Sequence, residues 1–390
     1  MELKERYLLN PVMEDLAESM VFIGGPRQVG KTTLARDLIG KHFLSSYYNW
    51  DKIELRLKAL HGEWSPDTQL IVLDEFHKHR GWKSWIKGEY DVYGKKYKIL
   101  LTGSARLNIY RKGGDSLQGR YHYFTLFPFT YSEINGSLPT IEPGQELTFC
   151  PEVNKGTLDM LFKFGGFPEP LLKQNPRFHR RWHNERIERF FKEDIRELTM
   201  IKDFGSLALL TSLLPDKVSS VLSINSLAND LQVNFKTATH WLDVFENFYY
   251  CFRIPPYQTK KVAAVRKEKK LYLWDWPLVP GDGPRIENLV ALHLLKFCNY
   301  LYEYGGWKVS LYFLRDSTGR ETDFLVTYDE RPWFAVEVKT NDKKLSNHLL
   351  YFKEKLAIPY CYQAVYDFNE DFIKGGIRVL PVAKFLSALL

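Results

Sequence analysis

Residues 25–32 read GPRQVGKT, a glycine-rich loop between an apolar stretch at residues 21–23 and a helical pattern, TLARDLI, at residues 33–39. The spacing matches the phosphate-binding pattern GxxxxGK[ST] in full, and the neighbouring strand and helix are those the pattern requires. Glycines let such a loop curl so that backbone N–H groups point at phosphate oxygens, while the helix N-terminus adds its positive dipole end. The loop therefore predicts a parallel α/β domain that binds a nucleoside triphosphate.

Two side chains of this loop have distinct predicted roles. Lys31 would reach the β- and γ-phosphates of ATP, and the Thr32 hydroxyl would be a ligand of Mg²⁺. The alternative is a chance glycine loop. The predicted nucleotide contacts come from nine consecutive residues: Gly25, Pro26, Arg27, Gln28, Val29, Gly30, Lys31, Thr32 and Thr33.

A second apolar run, residues 70–73, ends in Asp74 and Glu75. Open α/β sheets bind ligands at the carboxyl ends of their strands, which is where these acids would lie. We predict that Asp74 holds the Mg²⁺ shell and that Glu75 is the general base for the attacking water. Without the phosphate loop, a surface acidic pair would be the simpler interpretation.

Residues 98–104, KILLTGS, form a further buried strand that ends in hydroxyl residues. In ATPases with an extra strand between the two phosphate-binding strands, this position carries a polar side chain that senses the γ-phosphate. Ser104 is the predicted sensor and Thr102 the substitute, with an ordinary turn after a core strand as the alternative.

An arginine, Arg120, directly precedes the last predicted strand of this region. A cation is needed to offset charge that builds on the γ-phosphoryl group, and AAA+ proteins place an arginine here that enters the neighbouring subunit's site. Arg106 and Arg111 are rival candidates, and a local salt bridge of Arg120 is the alternative.

The first 135 residues alternate between strand and helix patterns and predict a parallel, doubly wound sheet. The predicted strands are Met20–Ile23, Ser46–Asn49, Leu70–Leu73, Lys98–Leu101 and Tyr121–Leu126. A stretch rich in proline and glycine, residues 128–151, follows as a connector, and residues 155–250 are predicted to be mainly helical.

Together these motifs resemble the prokaryotic AAA+ ATPases that carry a C-terminal domain of unknown function. The strings that carry the resemblance are GGPRQVGKTTLA, LIVLDEF, LLTGSA, SLQGRYHYFTLFPFTYSE and FGGFPEP. The resemblance implies an α/β fold with a P-loop NTPase sheet of AAA+ type, then a helical and winged-helix segment, then a PD-(D/E)xK nuclease-like α/β domain. The predicted domains are 1–135, 136–220, 221–275 and 276–390.

The spacing of apolar residues in residues 226–245 is typical of a helix-turn-helix. The first helix would bury Leu227, Ala228 and Leu231, and the second would bury Trp241, Leu242 and Phe245. Flanking strands at 249–254 and 271–274 would form a basic wing that carries Lys260, Lys261, Arg266, Lys267, Lys269 and Lys270. The pattern predicts DNA contact through phosphates without sequence preference, since only Lys236, Thr239 and His240 could reach bases. A packing module with a solvated basic loop is the alternative.

Four residues in the last part of the chain suggest a metal-dependent nuclease centre. Glu287 lies in a predicted helix, Asp323 starts one strand, and Glu337 and Lys339 share one face of another. A hairpin that turns near residues 329–332 would bring the strand acids together. Glu287, Asp323 and Glu337 would then hold Mg²⁺ while Lys339 orients the attacking water. This resembles the PD-(D/E)xK core, although Thr322 stands where its proline would be. A salt-bridged strand face is the alternative.

Composition sets broader bounds. A chain of 390 residues predicts two or three domains, and a net charge of +7 permits but does not establish nucleic-acid binding. No uncharged apolar run reaches the roughly 18–20 residues of a membrane span, and no signal peptide is evident. Four scattered cysteines indicate a reduced, cytoplasmic environment without a zinc site.

Two interpretations of function remain open. In the first, an ATP-driven machine, expected to be a homo-oligomer and possibly a ring, acts on DNA through a winged helix and a nuclease site. In the second, a regulatory ATPase switch carries binding modules with an inert nuclease fold.

Overall fold

The computed structural model describes residues 4–79, 81–103, 117–191, 203–258 and 268–390. The chain forms two compact units, Met1–Pro128 and Phe129–Leu390. Within the described ranges, no helix has both the length and the apolar character needed to cross a membrane.

The first unit is built on a five-stranded sheet in which all strands run parallel, in the order β2-β3-β4-β1-β5. The strands are β1 (Met20–Gly24), β2 (Ser45–Asn49), β3 (Leu70–Asp74), β4 (Lys98–Thr102) and β5 (Tyr121–Thr125). Each of the five strands predicted from the sequence is confirmed, with a difference of one residue at one end. β1 and β3 are buried along their whole length, which explains why they are continuous apolar runs.

Helices cover this sheet and complete the core of the first unit. They are α1 (Leu9–Asp15), a π-type helix directly after the phosphate loop (Thr33–Ile39), α2 (Ile53–Leu60) and α3 (Trp82–Tyr93), with short 3₁₀ turns at Gly40–His42 and Phe76–Lys78. Phe22, Leu73, Leu101 and Trp82 belong to one buried apolar cluster that joins strands to α3.

The strand order decides which polar side chains meet. β4 lies between β1 and β3, and its register pairs Thr102 with both Ile23 and Asp74. Asn49 at the end of β2 pairs with Asp74 in turn. Because all strands are parallel, their carboxyl ends form one edge, and the phosphate loop leaves β1 at this same edge.

The second unit begins with helices. They are α4 (Tyr131–Asn135), α5 (Lys155–Phe164), α6 (Pro168–Lys173), α7 (Pro176–Arg189), α8 (Phe204–Leu213), α9 (Ile224–Asp230) and α10 (Phe235–Asn247), with a 3₁₀ turn at Pro215–Lys217. The mainly helical character predicted for residues 155–250 is confirmed over the described residues.

α9 and α10 are followed by a two-stranded antiparallel sheet of β6 (Cys251–Ile254) and β7 (Lys270–Leu273). Asn234 caps α10, its side chain accepting from the Thr237 N–H at 2.8 Å. The side chains that the sequence predicts to be buried are buried: Leu227, Ala228, Leu231, Trp241, Leu242 and Phe245. Ala238 and Val244 of α10 are buried as well.

The rest of the second unit contains a six-stranded mixed sheet in the order β12-β13-β11-β10-β9-β8. The elements are a 3₁₀ turn (Trp276–Leu278), α11 (Asp282–Glu303), β8 (Val309–Arg315), β9 (Glu321–Tyr328), β10 (Arg331–Lys339), α12 (Asn347–Leu356), β11 (Tyr360–Val365), β12 (Phe372–Lys374), β13 (Ile377–Pro381) and α13 (Val382–Ser387). β8, β9 and β10 form an antiparallel meander, whereas β11 pairs in parallel with β10 and β13.

The predicted hairpin between β9 and β10 is confirmed. Asp329 and Glu330 have φ values of 45° and 63°, the left-handed pair that a tight turn between antiparallel strands needs. Phe324 lies opposite Val336, and the Asp323 carboxylate accepts from the Val338 N–H at 2.9 Å. The hairpin thus brings Asp323 beside Glu337.

Candidate nucleotide-binding site and acid cluster

The phosphate loop has the backbone that its glycines permit. Gly25 and Gly30 have φ values of 138° and 100°. A Cβ at Gly25 would lie 2.5 Å from the Leu126 carbonyl oxygen, so only glycine fits there. The buried Lys31 ammonium donates to the carbonyl oxygens of Gly25 at 3.0 Å and Pro26 at 2.8 Å. The predicted phosphate-binding lysine is therefore folded into the loop itself.

Asp74 is 1% exposed and lies at the centre of a set of neutral donors. Its Oδ2 accepts from the Thr32 hydroxyl at 2.8 Å and the Tyr47 hydroxyl at 2.6 Å, and its Oδ1 accepts from Thr102. Thr32 and Asp74 are thus adjacent oxygen donors at the end of the phosphate loop. Such oxygen donors, completed by phosphate oxygens and waters, fit a magnesium ion.

Tyr47 is a member of this site that the sequence reasoning missed. Burial, together with its hydrogen bond to Asp74, raises the pKa of Tyr47 to about 12, so the hydroxyl stays a donor. The Asn49 amide contacts both the Tyr47 hydroxyl, at 3.2 Å, and Asp74, at 3.4 Å. The available signal was the polar end of β2, which a parallel sheet places beside Asp74.

Glu75 has a left-handed backbone, with φ 57°, directly after β3. Burial raises the pKa of its carboxyl, against the opposing effect of Lys31 and Lys78. Its Oε2 lies 3.7 Å from His77 Nε2 and 3.8 Å from Lys78 Nζ. A carboxyl whose pKa is raised is a stronger base than a free glutamate, as the predicted role requires.

Two further predictions for this site concern the polar side chain that senses the γ-phosphate and the role of Arg120. Thr102 donates its hydroxyl to Asp74, whereas Ser104, Arg106 and Arg111 lie outside the described residues. Arg120 precedes β5, whose amino end is at the edge opposite the phosphate loop, and its Nε donates to Asp91 Oδ1 at 2.7 Å. Arg120 therefore lies away from the loop of its own chain, and its action in a neighbouring subunit stays a prediction.

In the second unit, Glu287 of α11, Asp323 of β9 and Glu337 of β10 come together as predicted. Burial raises the pKa of Glu287 and of Glu337, and the Asp323 charge raises both further. Lys339 Nζ lies 2.8 Å from Glu337 Oε1, which confirms that these two side chains share one face. Glu321, at the start of β9, is a further acid of this group, which we call the acid cluster.

A lysine occupies the middle of the acid cluster. Lys270 Nζ lies 2.7 Å from Glu321 Oε1, 3.2 Å from Glu287 Oε1 and 3.5 Å from Asp323 Oδ1. Burial alone would lower the pKa of Lys270, but the three carboxylates outweigh burial and raise it.

The sequence-based expectation for Lys270 is wrong. Lys270 was expected in the basic wing as a phosphate contact, yet it is 1% exposed and its charge is neutralised internally. Of the other wing residues, Lys269 is exposed, and Lys260, Lys261, Arg266 and Lys267 lie outside the described residues.

The metal site expected at the acid cluster is not supported by this arrangement of side chains. Over the described ranges, no group of three or more histidine, cysteine or acidic side chains is placed to hold a metal ion. The Lys270 ammonium stands where the carboxylates converge, and Lys339 takes one oxygen of Glu337. As placed, these residues do not fit a divalent ion, and Mg²⁺ binding by Glu287, Asp323 and Glu337 stays a prediction.

In the second helix of the helix-turn-helix pattern, three side chains were candidates for reaching bases. Lys236 and His240 are exposed. Thr239 is partly buried, and its hydroxyl donates to the Phe235 carbonyl at 2.8 Å. Lys236 and His240 are thus the side chains of this predicted set that are free to meet a nucleic acid.

Comparison with known protein families agrees with the geometry of the first unit. Residues 17–135 match the family model of an AAA domain. Residues 17–135 thus form an AAA domain. Residues 155–280 and 282–385 match the models of two domains of unknown function, DUF8612 and DUF4143. The AAA domain holds the phosphate loop, Asp74 and Glu75, whereas Glu287, Asp323 and Glu337 lie in the DUF4143 match.

The chain is also similar to curated proteins. The uncharacterized protein MJ1637 of Methanocaldococcus jannaschii is 24% identical, over 98% of this chain and 87% of the relative. The uncharacterized protein MJ1544 of the same organism is 24% identical over 70% of this chain and 65% of the relative. The uncharacterized protein Rv2008c of Mycobacterium tuberculosis is 22% identical over 67% and 55%. The chain thus spans less than two thirds of MJ1544 and of Rv2008c.

Two solved structures are distantly similar to this chain. A Walker-type ATPase of Pyrococcus abyssi is 14% identical, with a TM-score of 0.44, over 71% of this chain and 94% of that protein. The Orc1 protein of Aeropyrum pernix, solved in complex with DNA, is 13% identical, with a TM-score of 0.33, over 74% and 93%.

Proposed function

We propose that this chain binds ATP with Mg²⁺ at the phosphate loop and hydrolyses it. The observation that carries the proposal is the Thr32–Asp74 pair at the end of a full GxxxxGK[ST] loop. Mg²⁺ would supply charge neutralisation for the β- and γ-phosphates.

In this proposal, the residues around the phosphate loop have separate roles in ATP binding and hydrolysis. Lys31 leaves the loop carbonyls to meet phosphate oxygens, and the backbone N–H groups of residues 25–33 hold the phosphates. Glu75 takes a proton from the attacking water, for which its raised pKa suits it. Ser104, or Thr102 in its place, would contact the γ-phosphate.

Assembly into a homo-oligomer is part of the same proposal. Arg120 cannot reach the phosphate loop of its own chain from the amino end of β5, so a catalytic role for it requires a second copy. In such an assembly its guanidinium would exchange Asp91 for the γ-phosphate of the neighbour.

We further propose that ATP hydrolysis serves action on DNA. The order α9, α10, β6, β7 supports a winged helix, which would contact phosphates without reading bases. The order α11, β8, β9, β10, α12, β11 supports a PD-(D/E)xK core, in which Glu287, Asp323, Glu337 and Lys339 would be the acids and the lysine.

A second function is favoured by the position of Lys270. A nuclease-like centre whose acids are neutralised from within would not cleave, and the chain would then be a regulatory ATPase switch with an inert nuclease fold. Fold alone does not distinguish the two, because an unchanged scaffold can lose its chemistry.

ATP hydrolysis measured with and without double-stranded DNA separates these functions. A machine that acts on DNA should hydrolyse ATP faster when DNA is present, and the double variant Lys236→Ala, His240→Ala should lose the stimulation. Lys374→Ala, which removes an exposed charge of the last sheet, is the control and should keep it. A rate that DNA leaves unchanged contradicts DNA action and favours the switch.

A further inference from the structure

Lys270 is more deeply buried, and contacts more carboxylates, than a lysine in an ordinary surface salt bridge. Its ammonium is buried and meets carboxylates from two separate elements, α11 and β9. Surface ion pairs leave their charges partly in water, whereas this lysine keeps almost none of its surface exposed. A buried ammonium persists only where several acceptors surround it.

The acids in turn need a cation. Carboxylates that converge on one point repel one another unless a cation or a proton lies between them. Asp323 raises the pKa of both Glu287 and Glu337, which shows that the three carboxyls interact. Lys270 lies within 3.5 Å of Glu287 and Asp323, where a shared cation would be.

Other donors also contact the oxygens of these acids. Tyr272 donates its hydroxyl to Glu287 Oε1 at 2.7 Å, Val338 donates its N–H to Asp323 Oδ2, and Lys339 pairs with Glu337 Oε1. Over the described residues, Glu337 Oε2 is a buried oxygen of the cluster without a hydrogen-bond partner. A divalent ion would need several such oxygens at once.

Lys270 and Tyr272 reach the cluster together because both lie on β7, two residues apart, and therefore on one face of the strand. Both side chains contact the same oxygen, Glu287 Oε1. The strand thus presents a cation and a neutral donor to the acids as one surface.

We propose that the Lys270 ammonium takes the cation position of the acid cluster, so that a divalent metal binds there only when Lys270 is removed. The C-terminal centre is then complete without a metal, and its acids serve to hold β7 against α11 and β9.

Titration of the full chain with Mn²⁺, followed by electron paramagnetic resonance, tests the proposal. The titration is made without nucleotide and in the Lys31→Ala background, so its outcome does not depend on the ATPase proposal. Lys270→Met keeps the length of the side chain and removes its charge. This variant should bind a single Mn²⁺ ion with a dissociation constant lower than that of the parent by a factor of about ten or more. The reason is that a positive charge next to the ion is gone. Adding Asp323→Asn should abolish that gain.

Two further variants make the result decisive. Lys270→Arg keeps the positive charge and should exclude Mn²⁺ as the parent does. Lys269→Met removes the exposed neighbouring charge and should leave Mn²⁺ binding unchanged. If Lys270→Met fails to fold, the parent decides the question. Mn²⁺ binding in the parent that Asp323→Asn removes would overturn the proposal, and so would a folded Lys270→Met variant that binds no better than the parent.

Discussion

Asp74 of the AAA domain and Asp323 of the acid cluster are both buried or nearly buried aspartates close to other acids, yet their partners differ in charge. Asp74 receives hydrogen bonds from the neutral hydroxyls of Thr32, Tyr47 and Thr102. Asp323 faces the Lys270 ammonium at 3.5 Å. Neutral donors orient a carboxylate and leave its negative charge available to a metal ion, whereas a buried lysine neutralises that charge within the protein.

Two sites that both carry acidic residues can therefore differ in their ability to bind a metal ion. At the phosphate loop, the Lys31 ammonium donates to the carbonyl oxygens of Gly25 and Pro26. At the acid cluster, the lysine is bound to the acids themselves. The presence of acids in the right order is therefore insufficient to identify a metal site, and the location of the cations decides it.

The largest expected effect is on stability at the acid cluster. Lys270→Met leaves buried carboxylates without their cation, and it should reduce the free energy of unfolding by about 3–5 kcal/mol. Chemical denaturation measures this loss. Lys269→Met, the exposed neighbour, should change the free energy of unfolding by less than about 0.5 kcal/mol. Equal losses in both variants would contradict the internal-cation account.

The next effect is on catalysis in the AAA domain. Glu75→Gln removes the general base and keeps the shape of the side chain, so ATP turnover should fall by roughly 100-fold or more while ATP binding persists. Lys31→Ala, in comparison, should lose ATP binding as well. Turnover and equilibrium nucleotide binding measure the two effects. A Glu75→Gln variant that hydrolyses ATP at the parent rate would contradict the assignment of Glu75 as the general base.

A smaller effect is expected at Tyr47. Tyr47→Phe removes one neutral hydrogen bond to Asp74 and should cost about 0.5–1.5 kcal/mol, seen as a several-fold drop in ATP turnover. Tyr48→Phe is the matched control, because the Tyr48 hydroxyl donates to the Glu63 carbonyl and not to Asp74. If both variants lose the same turnover, Tyr47 has no special part in orienting Asp74.

The smallest expected effect is on the stability contributed by Arg120. Its ion pair with Asp91 is exposed to water, so Arg120→Ala should leave the free energy of unfolding nearly unchanged. If Arg120 acts in a neighbouring subunit, mixing Arg120→Ala with Lys31→Ala chains should nevertheless restore ATP hydrolysis at mixed interfaces. Mixtures without any recovery would contradict action between subunits.

Strands β1, β3 and β4 could be predicted because each is a short, largely apolar run. The phosphate loop could be predicted because its function fixes its spacing. The role of Tyr47 could not, since it depends on which strand lies beside β3, and that pairing is non-local. The hairpin that joins Asp323 to Glu337 was predictable from the turn residues between two alternating strands.

The burial of Lys270 was missed because it ends a run of charged residues, KEKK, that is typical of a solvated loop. A local signal existed. In β7, Lys270 and Tyr272 alternate with Leu271 and Leu273, which places the two polar side chains on one face. What the sequence could not show is that α11 and β9 cover that face with acids, since those residues follow later in the chain.

The number of Mn²⁺ ions bound per chain, with and without a slowly hydrolysed ATP analogue, tests the contrast between the two sites most directly. Equilibrium dialysis of the parent protein gives this number. The account predicts one bound ion when the analogue is present, held by Thr32, Asp74 and the phosphates, and none when it is absent. An ion bound without nucleotide and lost in Asp323→Asn would contradict the internal cation, and no ion bound with nucleotide would contradict the ATP site.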